Sequence, residues 1–207
     1  MNRCALVITG GNAPSDISMI SSLPPYSYVC AADSGLDTAY RLGLSVDFAI
    51  GDFDSVKDLH LLDDVDHKTL SIDKDDSDTE ALLSHLIRNG FDRYILIGGG
   101  EGRFDHLLHL YTLFQTFGPP LEWITAKERM LRIDDVTVLS LPKNTTVSVI
   151  PAFPTGISYI SCQQMRWPLV DYLIDGSHMS LSNRTSADRV KLHVSGDPVF
   201  LCINGDA

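Results

Sequence analysis

Lysine and arginine are the scarce residues of this chain: 16 against 27 aspartates and glutamates over 207 positions, a net charge of -11. That balance excludes a broad surface for nucleic acid or for an anionic membrane, since both need clustered basic side chains. It does not exclude a nucleotide, because bound Mg²⁺ and a few backbone N–H groups can hold a triphosphate. Long apolar runs are missing too, and no stretch is long enough to span a bilayer. The apolar run after Met1 ends in Gly10-Gly11 without a cleavage-type sequence, so it reads as a first strand rather than a signal peptide. Cys4, Cys30, Cys162 and Cys202 form no CxxC pair and lie in or beside apolar runs. They read as reduced core thiols of a cytoplasmic protein. His60, His67, His85, His109, His178 and His193 show no metal-ligand spacing and read as surface or core residues.

The chain is rich in short apolar runs followed by glycine or aspartate. Ala5–Thr9, Tyr28–Ala32, Phe48–Ile50, Leu70–Ile72, Tyr94–Ile97 and Leu121–Thr125 read as strands, the first near-continuously apolar as in a buried parallel sheet. A helix start is expected at Ser15-Asp16, and helical spacing occupies Leu36–Leu42, the stretch from Thr79 with Leu82, Leu83, Leu86 and Ile87, and Phe104–Phe117. Strand, loop and helix in alternation imply right-handed crossovers and a mostly parallel sheet flanked by helices, a Rossmann-like α/β half. Past Asp135 the pattern becomes short β-branched runs separated by Pro, Gly and Asn, an all-β sandwich or barrel. The expected division is 1–135 and 136–207.

In a parallel sheet the working residues sit just beyond the carboxyl ends of the strands. Asp33-Ser34-Gly35, Asp52-Phe53-Asp54, Asp73–Asp78 and Gly98–Arg103 all fall there. Along an extended chain Asp52 and Asp54 point to one side while Phe53 turns to the core. Two carboxylates so close repel unless a cation lies between them, and hard oxygen ligands in a loop suit Mg²⁺. A solvated acidic turn is the competing reading. Ser77 or Asp78 caps the next helix, whose N-terminus also favours phosphate. The glycine run lets backbone approach phosphates; it is neither a Rossmann fingerprint nor a Walker A loop. Arg103 adds a donor fork beside Asp105 and His106, with a structural Arg–Asp pair as the alternative.

Asp33-Ser34-Gly35, Gly51-Asp52-Phe53-Asp54-Ser55, Lys74-Asp75-Asp76-Ser77-Asp78 and Gly98 through His106, in this order and spacing, resemble the thiamine pyrophosphokinases. Met165-Arg166-Trp167-Pro168-Leu169 and Ser180-Leu181-Ser182-Asn183 resemble two segments of that family's β-domain. The resemblance implies transfer of the β,γ-pyrophosphoryl group of ATP to the hydroxyl of thiamine, giving thiamine diphosphate and AMP. It implies an ATP/Mg²⁺-binding domain over 1–135 and a thiamine-binding domain over 136–207. Mg²⁺ would be held by Asp52, Asp54 and Asp78. Arg103 and the backbone of Gly99, Gly100 and Gly102 would hold phosphate. Asp33, Ser34, Gly35, Asp75, Ser77, Asp105 and His106 would lie around the nucleotide, with Asp78 or Asp75 as proton acceptor. Trp167, Ser182 and Asn183 would receive thiamine, Trp167 offering a face to the flat cation where a core role is the rival. A homodimer with active sites shared between subunits, free of nucleic acid and membrane, completes the expectation. A pterin-alcohol pyrophosphokinase and a catalytically idle nucleotide-binding module are the alternatives.

Overall fold

A computed structural model describes residues 3–16, 20, 22–71, 73, 75–100 and 102–204. The chain divides into two compact units, Met1–Leu113 with Pro120–Ala126, and Phe114–Pro119 with Lys127–Ala207. Together they are a mixed α/β structure with parallel and antiparallel strands.

The first unit is built on six strands: β1 (Cys4–Ile8), β2 (Tyr28–Ala32), β3 (Phe48–Gly51), β4 (His67–Thr69), β5 (Arg93–Ile97) and β6 (Glu122–Ile124). They lie in the order β6-β5-β1-β2-β3-β4, and every neighbouring pair is parallel. All five residues of β1 are buried, as a strand covered on both faces requires. Leu6, Ile8, Ile95, Ile97 and Ile124 have no exposed surface and form the centre of one core. Each side chain of this size contributes about 1.5–3 kcal/mol when fully buried.

Three α-helices among the described residues complete the pattern: α1 (Gly35–Arg41), α2 (Asp78–Arg88) and α3 (Phe104–Phe117). Apolar spacing places α3 at the bounds expected from sequence. On α2 the buried stripe is Leu82, Leu83 and Leu86, whereas Ile87 is exposed. The helix start expected at Ser15-Asp16 leads into 17–19, outside the described residues, and Ile72 of the expected fourth strand lies outside them too. The fourth strand itself sits earlier, at His67–Thr69, and all three of its side chains are exposed. It forms the edge of the parallel run, so its pairing with β3 rests on backbone bonds and no apolar alternation marks it.

The second unit contains β7 (Glu128–Ile133), β8 (Thr137–Ser140), β9 (Thr146–Pro151), β10 (Ser158–Cys162), β11 (Leu169–Ile174), β12 (Ser180–Arg184), β13 (Arg189–Gly196) and β14 (Val199–Asn204). They pair antiparallel in the orders β12-β9-β14-β7 and β11-β10-β13-β8. Val147, Ile160, Ile174, Val190, Leu192, Val199 and Leu201 fill a core between alternate inward positions. β7 and β11 were not anticipated. β7 buries only every third residue, and β11 exposes Val170, Asp171 and Tyr172 in succession, with Asp171 left-handed at φ 44°.

All four cysteines are buried free thiols, and burial pushes Cys202 up to about 12 and Cys30 higher still. Such groups stay protonated and act as packing. No helix among the described residues is long and apolar enough to cross a membrane.

His85 on α2 stacks on Phe48 of β3, with ring centroids 4.1 Å apart and planes 8° from parallel. Burial, with Arg88 and Lys68 nearby, lowers its pKa below the usual imidazole value. The unfolded chain therefore binds a proton that the fold rejects, and stability is lost as pH falls through the unfolded value of about 6.5. The melting temperature is expected to drop between pH 7.5 and 5.5, and to drop less in His85→Phe, which keeps a stacked ring without a titrating nitrogen. An equal drop in both proteins would assign the acid sensitivity elsewhere.

Candidate active site

The chain runs from β1 outward to β4 on one flank and returns to β5 and β6 on the other, so the connections diverge between β1 and β5. A crevice is expected outside the carboxyl ends at that point. A cavity of about 450 Å³ lies there. Its walls are the loop after β1 (Thr9, Gly10, Gly11), the end of β2 (Asp33, Ser34), the start of α2 (Ser77, Asp78, Thr79) and the loop after β5 into α3 (Gly99, Gly102, Arg103, His106).

Backbone bonds tie the two glycine loops together, Gly99 N–H donating to the Gly10 carbonyl at 2.8 Å and Asn12 N–H to the Gly100 carbonyl at 2.7 Å. Gly98 turns with φ 98°, and a Cβ built there would lie 2.3 Å from the Thr9 carbonyl oxygen. Only a residue without a side chain fits that approach.

At the end of β3, Gly51 does the same for the acidic groups. A Cβ on it would stand 3.1 Å from the Asp33 Cα, and the Asp33 N–H donates to the Ile50 carbonyl at 2.9 Å. The close approach brings Asp33, Asp52 and Asp54 together, with one carboxylate oxygen from each lying within 4.8 Å of the others. The expected route to that grouping needs correction. Asp52–Asp54 is not extended; Phe53 is left-handed at φ 60°, yet its ring is buried and both carboxylates stay on one side. Asp54 N–H donates to Asp52 Oδ1 at 3.2 Å, and Ser55 Oγ donates to Asp54 Oδ1 at 2.9 Å.

Asp33 is left-handed too, at φ 46°. Its Oδ1 is a buried oxygen with no hydrogen-bond partner. Burial raises the Asp33 pKa, the Ser34 N–H opposes that, and Asp78, Asp52 and Asp54 reinforce it. Strain, an orphaned oxygen and like charges concentrated at a cavity wall are what a binding site accumulates. Asp33 thus joins Asp52 and Asp54, a grouping beyond the metal ligands that the sequence resemblance implies. Asp78 reaches the same cavity as the first residue of α2.

Ser77 caps α2, its Oγ accepting the Glu80 N–H at 3.2 Å. Arg103 is exposed and forms a two-pronged pair with Asp105, whose Oδ1 accepts from Nε at 3.1 Å. That bond holds the Asp105 carboxyl below the usual range. Asp52, Asp54, Asp75, Asp105, Gly35 and Gly100 do not line the cavity, which the acidic cluster meets through Asp33. Thr9, Gly10, Gly11, Thr79 and His109 do, and were not singled out in the sequence. The Gly10-Gly11 pair directly after the first strand was the signal available for the loop; nothing marked His109.

Residues 21–120 match the family model described as thiamin pyrophosphokinase, catalytic domain. Over these residues the chain is similar to the catalytic domain of the thiamin pyrophosphokinase family. Thiamine pyrophosphokinase from Bacillus subtilis superposes with a TM-score of 0.77 at 18% identity, over 99% of this chain and 100% of that one. The protein from Geobacillus thermodenitrificans gives 0.74 at 20% identity, over 99% and 98%. That from Candida albicans gives 0.72 at 15%, over 98% and 90%. At such identities the likeness concerns the fold. No curated protein sequence matches the chain.

In the second unit, the segment that resembles the thiamin pyrophosphokinase β-domain presents Trp167 with 56% of its surface exposed. The Arg166 guanidinium lies over that ring, 5.1 Å from its centroid. Asn183 is buried and braces the segment. Its Oδ1 accepts from the Trp167 and Arg184 N–H groups at 3.2 and 2.8 Å, and its Nδ2 donates to the Trp167 carbonyl at 2.8 Å. Asn183 therefore fixes the tryptophan backbone. Ser182 is exposed and left-handed at φ 54°, its N–H donating to Ser148 Oγ at 3.0 Å.

Proposed function

We propose that the protein is a thiamine diphosphokinase, moving the pyrophosphoryl group of ATP to the hydroxyethyl oxygen of thiamine and releasing AMP. The observation that carries the reading is the three-carboxylate cluster, whose Asp33, with its partnerless buried oxygen, also lines a cavity framed by glycine loops. The parallel unit is read as a Rossmann-like ATP-binding half and the antiparallel unit as the thiamine-binding sandwich. A homodimer in the cytoplasm, with sites shared between subunits, belongs to the same proposal.

The donor set fits Mg²⁺: hard carboxylate oxygens, mutually close, one of them buried and unsatisfied. Asp33, Asp52 and Asp54 would hold it, with Asp78 facing the same space. When bound it neutralises phosphate charge and supplies Lewis-acid polarisation. The chain's own part is positioning. Backbone of the two glycine loops and the guanidinium of Arg103 bind phosphate oxygens. The acceptor oxygen bonds to the β-phosphorus as the bond from that phosphorus to the α,β-bridging oxygen breaks, and AMP leaves with the bridging oxygen. Asp78 takes the hydroxyl proton, a role that its place in the cavity wall supports over Asp75, which lies outside it.

An AMP-release assay with ATP and a panel of alcohols tests the reading. Thiamine should be the preferred acceptor; preference for a pterin alcohol, or no AMP with any acceptor, would overturn it. Trp167 supplies a second test. Its exposure means that Trp167→Ala should melt like the parent. Losing a ring from a cation site costs about 1–2 kcal/mol, which is roughly a five- to thirtyfold weaker hold on thiamine. ATP-analogue affinity should not change, and Trp167→Phe should recover part of the loss. Calorimetric titration of both ligands decides; equal weakening of both would remove Trp167 from the thiamine site.

A further inference from the structure

We propose that His109 is a positioning residue of this site: acting through Ser77, it sets where the first turn of α2, and hence Asp78, sits in the cavity. The inference rests on the pyrophosphoryl-transfer reading and deepens it.

On α3, His106, His109, Leu110 and Leu113 fall at three- and four-residue spacing and line the cavity on one face. From that face His109 Nε2 reaches to 3.0 Å from Ser77 Oγ and 3.7 Å from Glu80 Oε2. Ser77 Oγ is already committed as the cap, accepting the Glu80 N–H. The imidazole bond is therefore its second, made to a different element. One residue beyond Asp78, Thr79 Oγ1 lies 2.6 Å from Thr9 Oγ1 at the end of β1. Asp78 is thus flanked by two side-chain bonds, one running to α3 and one to the β1 loop.

These bonds do different work from the cap. The Ser77–Glu80 bond satisfies a backbone donor within α2 and stabilises the helix wherever its end lies. It says nothing about the distance from that end to the phosphate loops. His109 and Thr9 supply that distance. With His109 removed, the cap persists and the helix persists, but its end is tied from one side only. The loss should then appear in turnover rather than in folding, because displacements of about 1 Å at a reacting centre can cost up to a hundredfold.

Three variants of the full chain separate this from a packing role. His109→Phe keeps a ring and loses the nitrogen; His109→Gln places a polar terminus near the position of Nε2. Expected for His109→Phe is a kcat about ten- to a hundredfold lower, with thiamine KM and melting temperature unchanged. His109→Gln should recover most of the rate. On a Ser77→Ala background, His109→Phe should cost much less, because the 3.0 Å bond to Ser77 is already gone and only the 3.7 Å approach to Glu80 Oε2 is left to lose. A lower melting temperature without rescue by glutamine would mean that His109 only packs, and so would an undiminished His109→Phe effect on the Ser77→Ala background.

Amide hydrogen exchange gives a readout free of the reaction. His109→Phe should speed exchange in the first turn of α2, at Ala81 above all, whose N–H donates to the Ser77 carbonyl at 2.9 Å. His109→Gln should not. Unchanged exchange in His109→Phe overturns the coupling whatever the reaction proves to be. Faster exchange in a chain that forms no AMP would instead uphold the coupling and overturn the reaction.

Discussion

Asp54→Asn is expected to lower AMP formation by more than about a hundredfold, since even outer-shell partners of metal ligands are worth about 10–100-fold. The substitution keeps the shape of the side chain and the oxygen that accepts from Ser55 Oγ, and removes one charge from a cluster of three. Asp54 is exposed, so no buried partner is orphaned, and weaker repulsion between the carboxylates should leave the melting temperature unchanged or slightly raised. Loss of rate without loss of fold is the signature of a ligand rather than a structural carboxylate. Added Mg²⁺ should raise the melting temperature of the parent and do so less in the variant, by the ordinary linkage of binding to stability. A variant that turns over near the parental rate at saturating Mg²⁺ would remove Asp54 from the metal site.

Gly98→Ala is expected to have the largest effect on stability. At φ 98° an alanine already meets strain of about 1–3 kcal/mol. Its methyl group would also stand 2.3 Å from the Thr9 carbonyl oxygen, a backbone atom that cannot step aside without opening the β1–β5 junction. Thr9 N–H donates to the Ile97 carbonyl there, and Trp123 Nε1 donates to the Gly98 carbonyl, so the distortion reaches three strands. The chain should melt several degrees lower, and what remains folded should bind ATP poorly. Gly102→Ala is the control: φ is 96° there, but an added Cβ has no atom within 4 Å. It should show the strain alone. Similar losses in the two variants, read from paired thermal melts, would mean that the close approach contributes nothing.

What the sequence revealed and what it hid divide along a physical line. Where a segment buries one face, its period is written in the residues, and Phe104–Phe117 emerges as the helix it is. β4 carries no such record, because an exposed edge strand is held by backbone pairing that any side chains permit. β11 hides for a related reason, its register with β10 shifting between the Ile160–Tyr172 and Cys162–Leu169 pairs. At the site, Asp52 and Asp54 were legible as a pair because they are neighbours. Asp33 joins them through the parallel pairing of β2 with β3 and the absence of a side chain at Gly51, a tertiary fact with no local trace. His109 was passed over for the same reason: its partner Ser77 lies on another helix, and spacing along one helix cannot announce it.

The position of β1 also bears on how the molecule comes into being. Ala5 pairs with Tyr28 on one side and with Tyr94 on the other. A nascent chain leaving the ribosome can therefore zip β1 to β2 early, yet must keep the opposite flank of β1 open until β5 has been synthesised. That flank belongs to a strand whose Leu6, Val7 and Ile8 end with no exposed surface. For that interval it is an unpaired apolar edge of the kind that recruits strands from other chains. The crevice between β1 and β5 cannot exist before that edge closes, so a translation product cut short before Arg93 would be without its cavity and prone to self-association.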